Sequence, residues 1–257
     1  MLRTLTLAMV LLSAMPAGAR DTVTIGMNDT GSYPHIVGQG TGLADPPGAT
    51  VELLQEVARR LDLDVRFVRL PGLRVLSELQ GGRLDGAMLF SHTPERELAG
   101  AFPVRQGRLD RDRRLATLSY TLYKRRDSTL GWTGDRFVNL RGRIAAKLNY
   151  SIVHDLKEMG VDVAEVRTTA DGFRMLLAGR IDGVADHAAV ADEYLAGAGI
   201  GGVEKLSPPL ADRDYYLMLS HQFASFRPDR AHAIWDMIAE LRDPFTEALL
   251  PRYPDRR

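Results

Sequence analysis

Apolar positions recur every second residue in some stretches and every third and fourth in others, which predicts strands alternating with helices. Thr22 to Met27 alternates as a first strand. Asn28 to Pro47 is rich instead in Gly, Pro, Asp and Thr and reads as a long loop containing Tyr33-Pro34. Loops that long in compact domains are often functional. Val51, Leu54, Val57, Ala58 and Leu61 share one helical face, and Leu63 to Leu70 follows as a second strand. Val75, Leu76 and Leu79 mark another helix, stopped by Gly81-Gly82 because glycine tolerates the left-handed backbone of a helix end. Leu84 to Phe90 is then a short apolar run bounded by turn residues, as in a strand buried on both faces. Thr93 is placed to cap a further helix, with Pro94 at its first position, where a missing N–H costs nothing. Arg96 therefore stands in the first turn of a helix, just past the carboxyl end of a parallel strand. That is the edge at which open α/β sheets bind ligands.

The phrase Gly82-Arg83-Leu84-Asp85-Gly86 returns as Gly179-Arg180-Ile181-Asp182-Gly183, again between a helical pattern (Phe173, Leu176, Leu177) and a short apolar run. Two such units imply two α/β lobes of similar build, although no sustained repeat connects them. Ala116 to Tyr123 is a strand that crosses from the first lobe to the second. Arg143 to Lys147 (strand), Ile152 to Met159 (helix) and Val161 to Val166 (strand) build the second lobe, and Tyr215 to Leu219 is the strand that returns. His232 to Leu241 and Phe245 to Leu250 read as two closing helices. The expected lobes are residues 20–120 with 213–257, and residues 121–212.

The chain has 257 residues, enough for two small domains with substantial cores. Its 33 basic and 33 acidic residues balance, so no overall field points to nucleic acid, and no nucleic-acid partner is expected. Cysteine is absent, which removes disulfides, thiolate metal sites and cysteine nucleophiles. Location is read from the start of the chain. Met1 to Thr4 is a short positive segment, Leu5 to Met15 is apolar, and Ala17-Gly18-Ala19 offers a small-residue cleavage site. These are the parts of a signal peptide over residues 1–19, cleaved near Ala19, with a mature protein outside the cytoplasm and not embedded in the membrane. Gly197-x-Gly199-x-x-Gly202 matches a dinucleotide pattern but follows a helix and precedes a strand, the reverse of the required context. The six histidines show no ligand spacing, so neither metal nor cofactor is expected. The run Arg105 to Arg114 reads as a solvated face.

Several phrases in order carry a resemblance: Tyr33-Pro34, Gly48 before a helix, Leu79-x-x-Gly82-Arg83-Leu84-Asp85, Ser91-x-Thr93-x-Glu95-Arg96 with Phe102-Pro103, Leu140-Arg141-Gly142, and Gly179-Arg180-Ile181-Asp182. From about Val23 to Tyr253 the chain resembles the bacterial extracellular solute-binding proteins of the amino-acid type (family 3), the periplasmic receptors of ABC importers. The resemblance implies a two-lobed α/β fold of the periplasmic-binding-protein type (type II, Venus-flytrap) with a two-strand hinge. It also implies a monomer that closes over a small carboxylate-bearing solute and presents it to the permease of an importer, without catalysis. Arg96 matches the arginine that grips the ligand carboxylate, a role suited to the guanidinium fork. Ser91 matches a donor to that carboxylate, Phe90 precedes it at the strand end, and Tyr33 matches an aromatic that covers the ligand. Asn149-Tyr150-Ser151 stands where the family usually carries Gly-Thr-Thr, so the pocket must be reshaped there. The family's acid for the ligand ammonium falls at His187, with Asp186 one residue earlier. Adjacent strand residues face opposite ways, so either Asp186 or His187 meets the ligand. Thr50 and Gly72 depart from the family's usual Asp and aromatic. Two rival readings follow from the same resemblance: an enzyme similar to the cyclohexadienyl dehydratases, with His187 or Glu95 as acid or base, and a receptor that reports to a sensor.

Overall fold

The structure is a computed structural model that describes residues 20–253; the expected signal peptide lies outside them. Nine strands form one curled sheet. They are β1 (Thr22–Asn28), β2 (Asp64–Leu70), β3 (Gly86–Ser91), β4 (Ala116–Arg125), β5 (Ile144–Lys147), β6 (Val163–Val166), β7 (Gly183–His187), β8 (Val203–Lys205) and β9 (Ala211–Leu219). The order is β6-β5-β7-β4-β9-β3-β1-β2, with β8 also paired to β4. Within each half the short strands run parallel, and one long antiparallel strand is added at the junction.

The two long strands make the connection. The first half of β4 pairs with β9, from Ala116↔Tyr215 to Tyr120↔Ala211, and its second half pairs with β7, from Tyr120↔His187 to Lys124↔Gly183. In the same way β9 leaves β4 at Tyr215 and pairs onward with β3. The apolar cores divide with the sheet. Two clusters draw on residues up to Leu115 and beyond Tyr215, and two others lie wholly between Tyr120 and Ala211. Each lobe buries the sheet between helices on both faces, which is why its short strands read as continuous apolar runs.

Eight α-helices stand among the described residues: α1 (Ala49–Arg60), α2 (Gly72–Gln80), α3 (Pro94–Glu97), α4 (Ser151–Glu158), α5 (Thr169–Leu177), α6 (Ala188–Gly197), α7 (His221–Phe226) and α8 (Pro228–Leu249). The two repeated phrases form the same turn. Gly82 and Gly179 both take φ +68°, with Arg83 N–H bonded to Glu78 O (2.9 Å) and Arg180 N–H to Met175 O (3.0 Å). This is a helix stop built on a left-handed residue. The aspartates then receive backbone N–H groups of a neighbouring segment. Asp85 accepts from Thr24 (2.8 Å), and Asp182 from Arg141 (2.8 Å) and Gly142 (2.7 Å).

Two sequence expectations change. The two closing helices are one, α8, with Pro244 inside it. Proline removes a single helical bond, while Ile234, Trp235, Ile238 and Leu241 before it, and Leu249 after it, stay packed in the first lobe. The arginine-rich run is solvated only in part: Arg113 and Asp110 are buried, and Arg113 reaches Asp236 at 2.6 Å.

Candidate functional site

A cleft of about 450 Å³ opens between the lobes. Its floor is the junction, where Tyr120 and Tyr215 line it with their hydroxyls 2.9 Å apart. The first-lobe wall holds Asn28, Asp29, Ile36, Leu76, Phe90 and Arg96; the second holds Leu148, Asn149, Tyr150, Arg167, Thr168 and His187. Most of these side chains are apolar or aromatic around a few convergent polar groups, the usual make-up of a small-molecule site.

Arg96 is positioned as its sequence context requires. Pro94 opens α3, Thr93 caps it by accepting the Arg96 N–H, and β3 ends just before it. Arg96 Nη1 donates to the carbonyl and hydroxyl of Ser91 (2.8 and 2.7 Å), and Nη2 donates to the carbonyl of Asn149 across the cleft (3.1 Å). Its guanidinium lies 5.5 Å from the Phe90 ring centre. Burial pulls its pKa down, with the phenols of Tyr120, Tyr215 and Tyr150 acting the other way. Ser91 also donates to Ser151 in the opposite lobe (3.3 Å), so the two lobes touch there, although neither serine is among the residues that line the cleft.

Asn149 takes φ +65°, the backbone conformation for which glycine is usual and asparagine is the best-tolerated substitute. Asparagine at this position thus keeps the turn. Tyr150 instead adds a ring to the wall, 4.6 Å from the Lys147 ammonium and 5.4 Å from His187. Ser151 begins α4 behind that wall.

The choice between Asp186 and His187 is resolved by β7. His187 lines the cleft, whereas Asp186 turns away and bonds Lys147 at the end of the adjacent strand β5, 3.0 Å away. Thr169 donates to the same carboxylate at 2.6 Å. Burial alone would lower the Lys147 ammonium pKa, but the Asp186 charge raises it above the ordinary value. His187 meets the Tyr215 hydroxyl through Nε2 (2.7 Å), and burial, reinforced by the Lys147 charge, pushes its pKa well down, so the ring is neutral.

Tyr33 lies elsewhere. It packs with Ala49, Leu249 and Tyr253 and does not line the cleft, because the long loop folds back onto α1 and α8. That loop is held by Arg69, which the pattern of the sequence does not single out. Arg69 is buried, and it donates to the carbonyls of Val37 (3.0 Å), Gly38 (2.6 Å), Gly42 (3.1 Å) and Asp29 (3.3 Å). Leu89 was equally hidden. It sits at φ +59° where the β3–β9 register slips, so Leu217 pairs with Met88 while Tyr216 pairs with Phe90. Such bulges re-aim side chains next to functional sites. The signal available for the floor was modest: tyrosines at the centres of two crossing strands. For Lys147 it was a charged residue closing an apolar strand.

Fold and site together define a two-lobed clamp with a cleft over two connecting strands, which is the type II periplasmic-binding-protein architecture. No family model matches the sequence, and no curated protein sequence matches it. Solved structures do match in fold. The ligand-binding core of GluR0 from Nostoc punctiforme, in complex with L-glutamate, is 16% identical, with a TM-score of 0.69, 91% of this chain and 99% of that one covered. A histidine kinase sensor domain with similarity to periplasmic binding proteins is 17% identical, with a TM-score of 0.71 and coverages of 91% and 96%. The substrate-binding protein of an amino-acid ABC transporter is 16% identical, with a TM-score of 0.67 and coverages of 90% and 98%. The fold is therefore that of the solute-binding proteins the sequence phrases resemble. Among the described residues no helix is long and apolar enough to cross a membrane.

Proposed function

We propose that this protein is a periplasmic receptor that closes over a small carboxylate-bearing solute and hands it to an ABC importer. The observation that carries this reading is the Arg96 guanidinium in a largely apolar cleft, held by Ser91 beneath it and reaching the opposite lobe through Asn149. A carboxylate entering there takes two parallel charge-assisted hydrogen bonds from the fork in place of the single carbonyl. Lobes of residues 20–120 with 213–257, and of 121–212, move about Tyr120 and Tyr215, and binding energy shifts the population toward the closed form. Phe90, Tyr150 and His187 complete the solute's surroundings, with Ser91 and Ser151 bonded to each other outside the cleft lining. Of the two acid–base candidates of the rival enzyme reading, Glu95 is exposed and absent from the cleft lining, which leaves only His187 beside the solute.

The test is a thermal-shift screen of carboxylates on the purified protein. A ligand at a hundredfold excess over Kd adds about 2.7 kcal/mol of stability. Arg96→Ala removes most of that shift. A ligand that binds Arg96→Ala as tightly as wild type sinks the assignment.

A further inference from the structure

The second-lobe wall carries a histidine to which the receptor reading assigns no particular bond, and behind it an ion pair. Asp186 is engaged on every side: Lys147 Nζ at 3.0 Å, Thr169 Oγ1 at 2.6 Å and the His187 backbone N–H at 2.7 Å. Both charged side chains are enclosed, with 1% of Asp186 and 5% of Lys147 exposed. The lysine thus supplies to Asp186 the ammonium that an amino-acid ligand would otherwise bring. His187 beside it is only 4% exposed, and its ring lines the cleft, while its Nδ1 is itself shut off from solvent and has no hydrogen-bond partner among the described residues. A buried polar atom without a partner is costly, so a group supplied by a ligand at that wall is favoured.

Resting on the receptor reading above, we infer that the cleft selects carboxylic acids whose second polar group is an uncharged hydroxyl or oxo group, and excludes α-amino acids. Arg96 takes the carboxylate from the first lobe. Uncovered as the lobes move, His187 Nδ1 meets the hydroxyl, which can donate or accept and so suits either imidazole tautomer. Tyr215 lies between the two, bonded to His187 and near enough to Arg96 to feel its charge. An ammonium at the same place finds a neutral ring, with the Lys147 charge behind it and no free carboxylate on that wall. Among the described residues the one acid that lines the cleft, Asp29, belongs to the opposite wall, on the loop clamped by Arg69, whose charge it already faces. The body of the ligand is apolar, matching Ile36, Leu76, Phe90, Leu118 and Leu148.

Calorimetric titration of the wild-type protein with matched acids decides the matter: leucic acid against leucine, phenyllactate against phenylalanine, hydroxyglutarate against glutamate. In the pair whose side chain fits, the hydroxy acid binds at least about a hundredfold tighter, the lower range for a buried charge left unpaired. His187→Phe keeps the ring volume and removes Nδ1. It weakens the hydroxy acid about tenfold, as losing one buried hydrogen bond implies, and leaves the acid lacking the hydroxyl unchanged. An amino acid that binds as tightly as its hydroxy partner overturns this inference. If that binding depends on Arg96, the receptor reading stands; if it falls in Asp29→Asn, the ammonium partner is Asp29. Equal weakening of both acids by His187→Phe also overturns it, since the ring would then serve only packing. No binding of any member of the three pairs overturns both readings together.

Discussion

The two Gly-Arg-(Leu/Ile)-Asp-Gly turns begin alike and end differently. Both stop a helix on a glycine at φ +68°, both bury the next aliphatic residue, and both use the aspartate to hold backbone N–H groups of a neighbouring segment. Divergence starts where the strands finish. In the first lobe β3 carries a bulge at Leu89 and runs through Thr93 into a capped helix that presents Arg96. In the second, β7 enters α6 directly at His187 with no side-chain cap, and its charge is neutralised internally by Lys147. The repeated phrase is scaffold, and chemistry is written at the strand ends. At its strand end one lobe offers a cation, Arg96; the other offers a neutral ring over a sealed ion pair, with Arg167 further along the same wall.

The widest break between the lobes comes from that ion pair. Lys147→Met leaves Asp186 buried without its partner and costs about 3–5 kcal/mol in urea unfolding, while Lys147→Met with Asp186→Asn regains most of it. A loss below about 1 kcal/mol would mean that the pair is solvated and the lobes are less different than described.

Histidines sharpen the contrast next. Burial holds His35, in the first lobe and 2.9 Å from the Thr50 hydroxyl, down at about 4, and it holds His187 well below the ordinary value. Both are depressed, so the unfolded chain binds more protons. Stability is therefore complete above about pH 6.5 and falls as the pH drops toward 4. For His35 the loss between pH 7 and pH 5 is about 2 kcal/mol. His35→Asn should flatten the measured profile by that amount, and an unchanged profile would place the acid sensitivity in the second lobe.

The smallest effect tests the shared scaffold. Gly82→Ala and Gly179→Ala each force an L-residue into the left-handed region and cost roughly 1–2 kcal/mol. Similar values at the two positions support a common role; a much larger cost at one shows that its turn bears additional load.

The alternation of strands and helices was legible because local periodicity decides it. The placing of Arg96 was legible because Thr93, Pro94 and the preceding apolar run each act within a few residues. What escaped depends on distant register or on backbone that side chains do not announce. The Lys147–Asp186 pair arises only once β5 and β7 lie side by side, and the Tyr120–Tyr215 floor only once the two crossing strands pair. Leu89 gives no sign of its left-handed backbone, since nothing in a leucine favours it. Pro244 misled in the opposite direction, as local helix-breaking was overridden by packing along α8.

Tyr120 and Tyr215 stand where each long strand exchanges one neighbour for another, and both face the cleft. A guest resting on their rings touches the axle as well as the jaws. Under the receptor reading, its fit against two phenols bears on the angle between the halves, and a partner that reads the outer surface registers occupancy without contacting the guest.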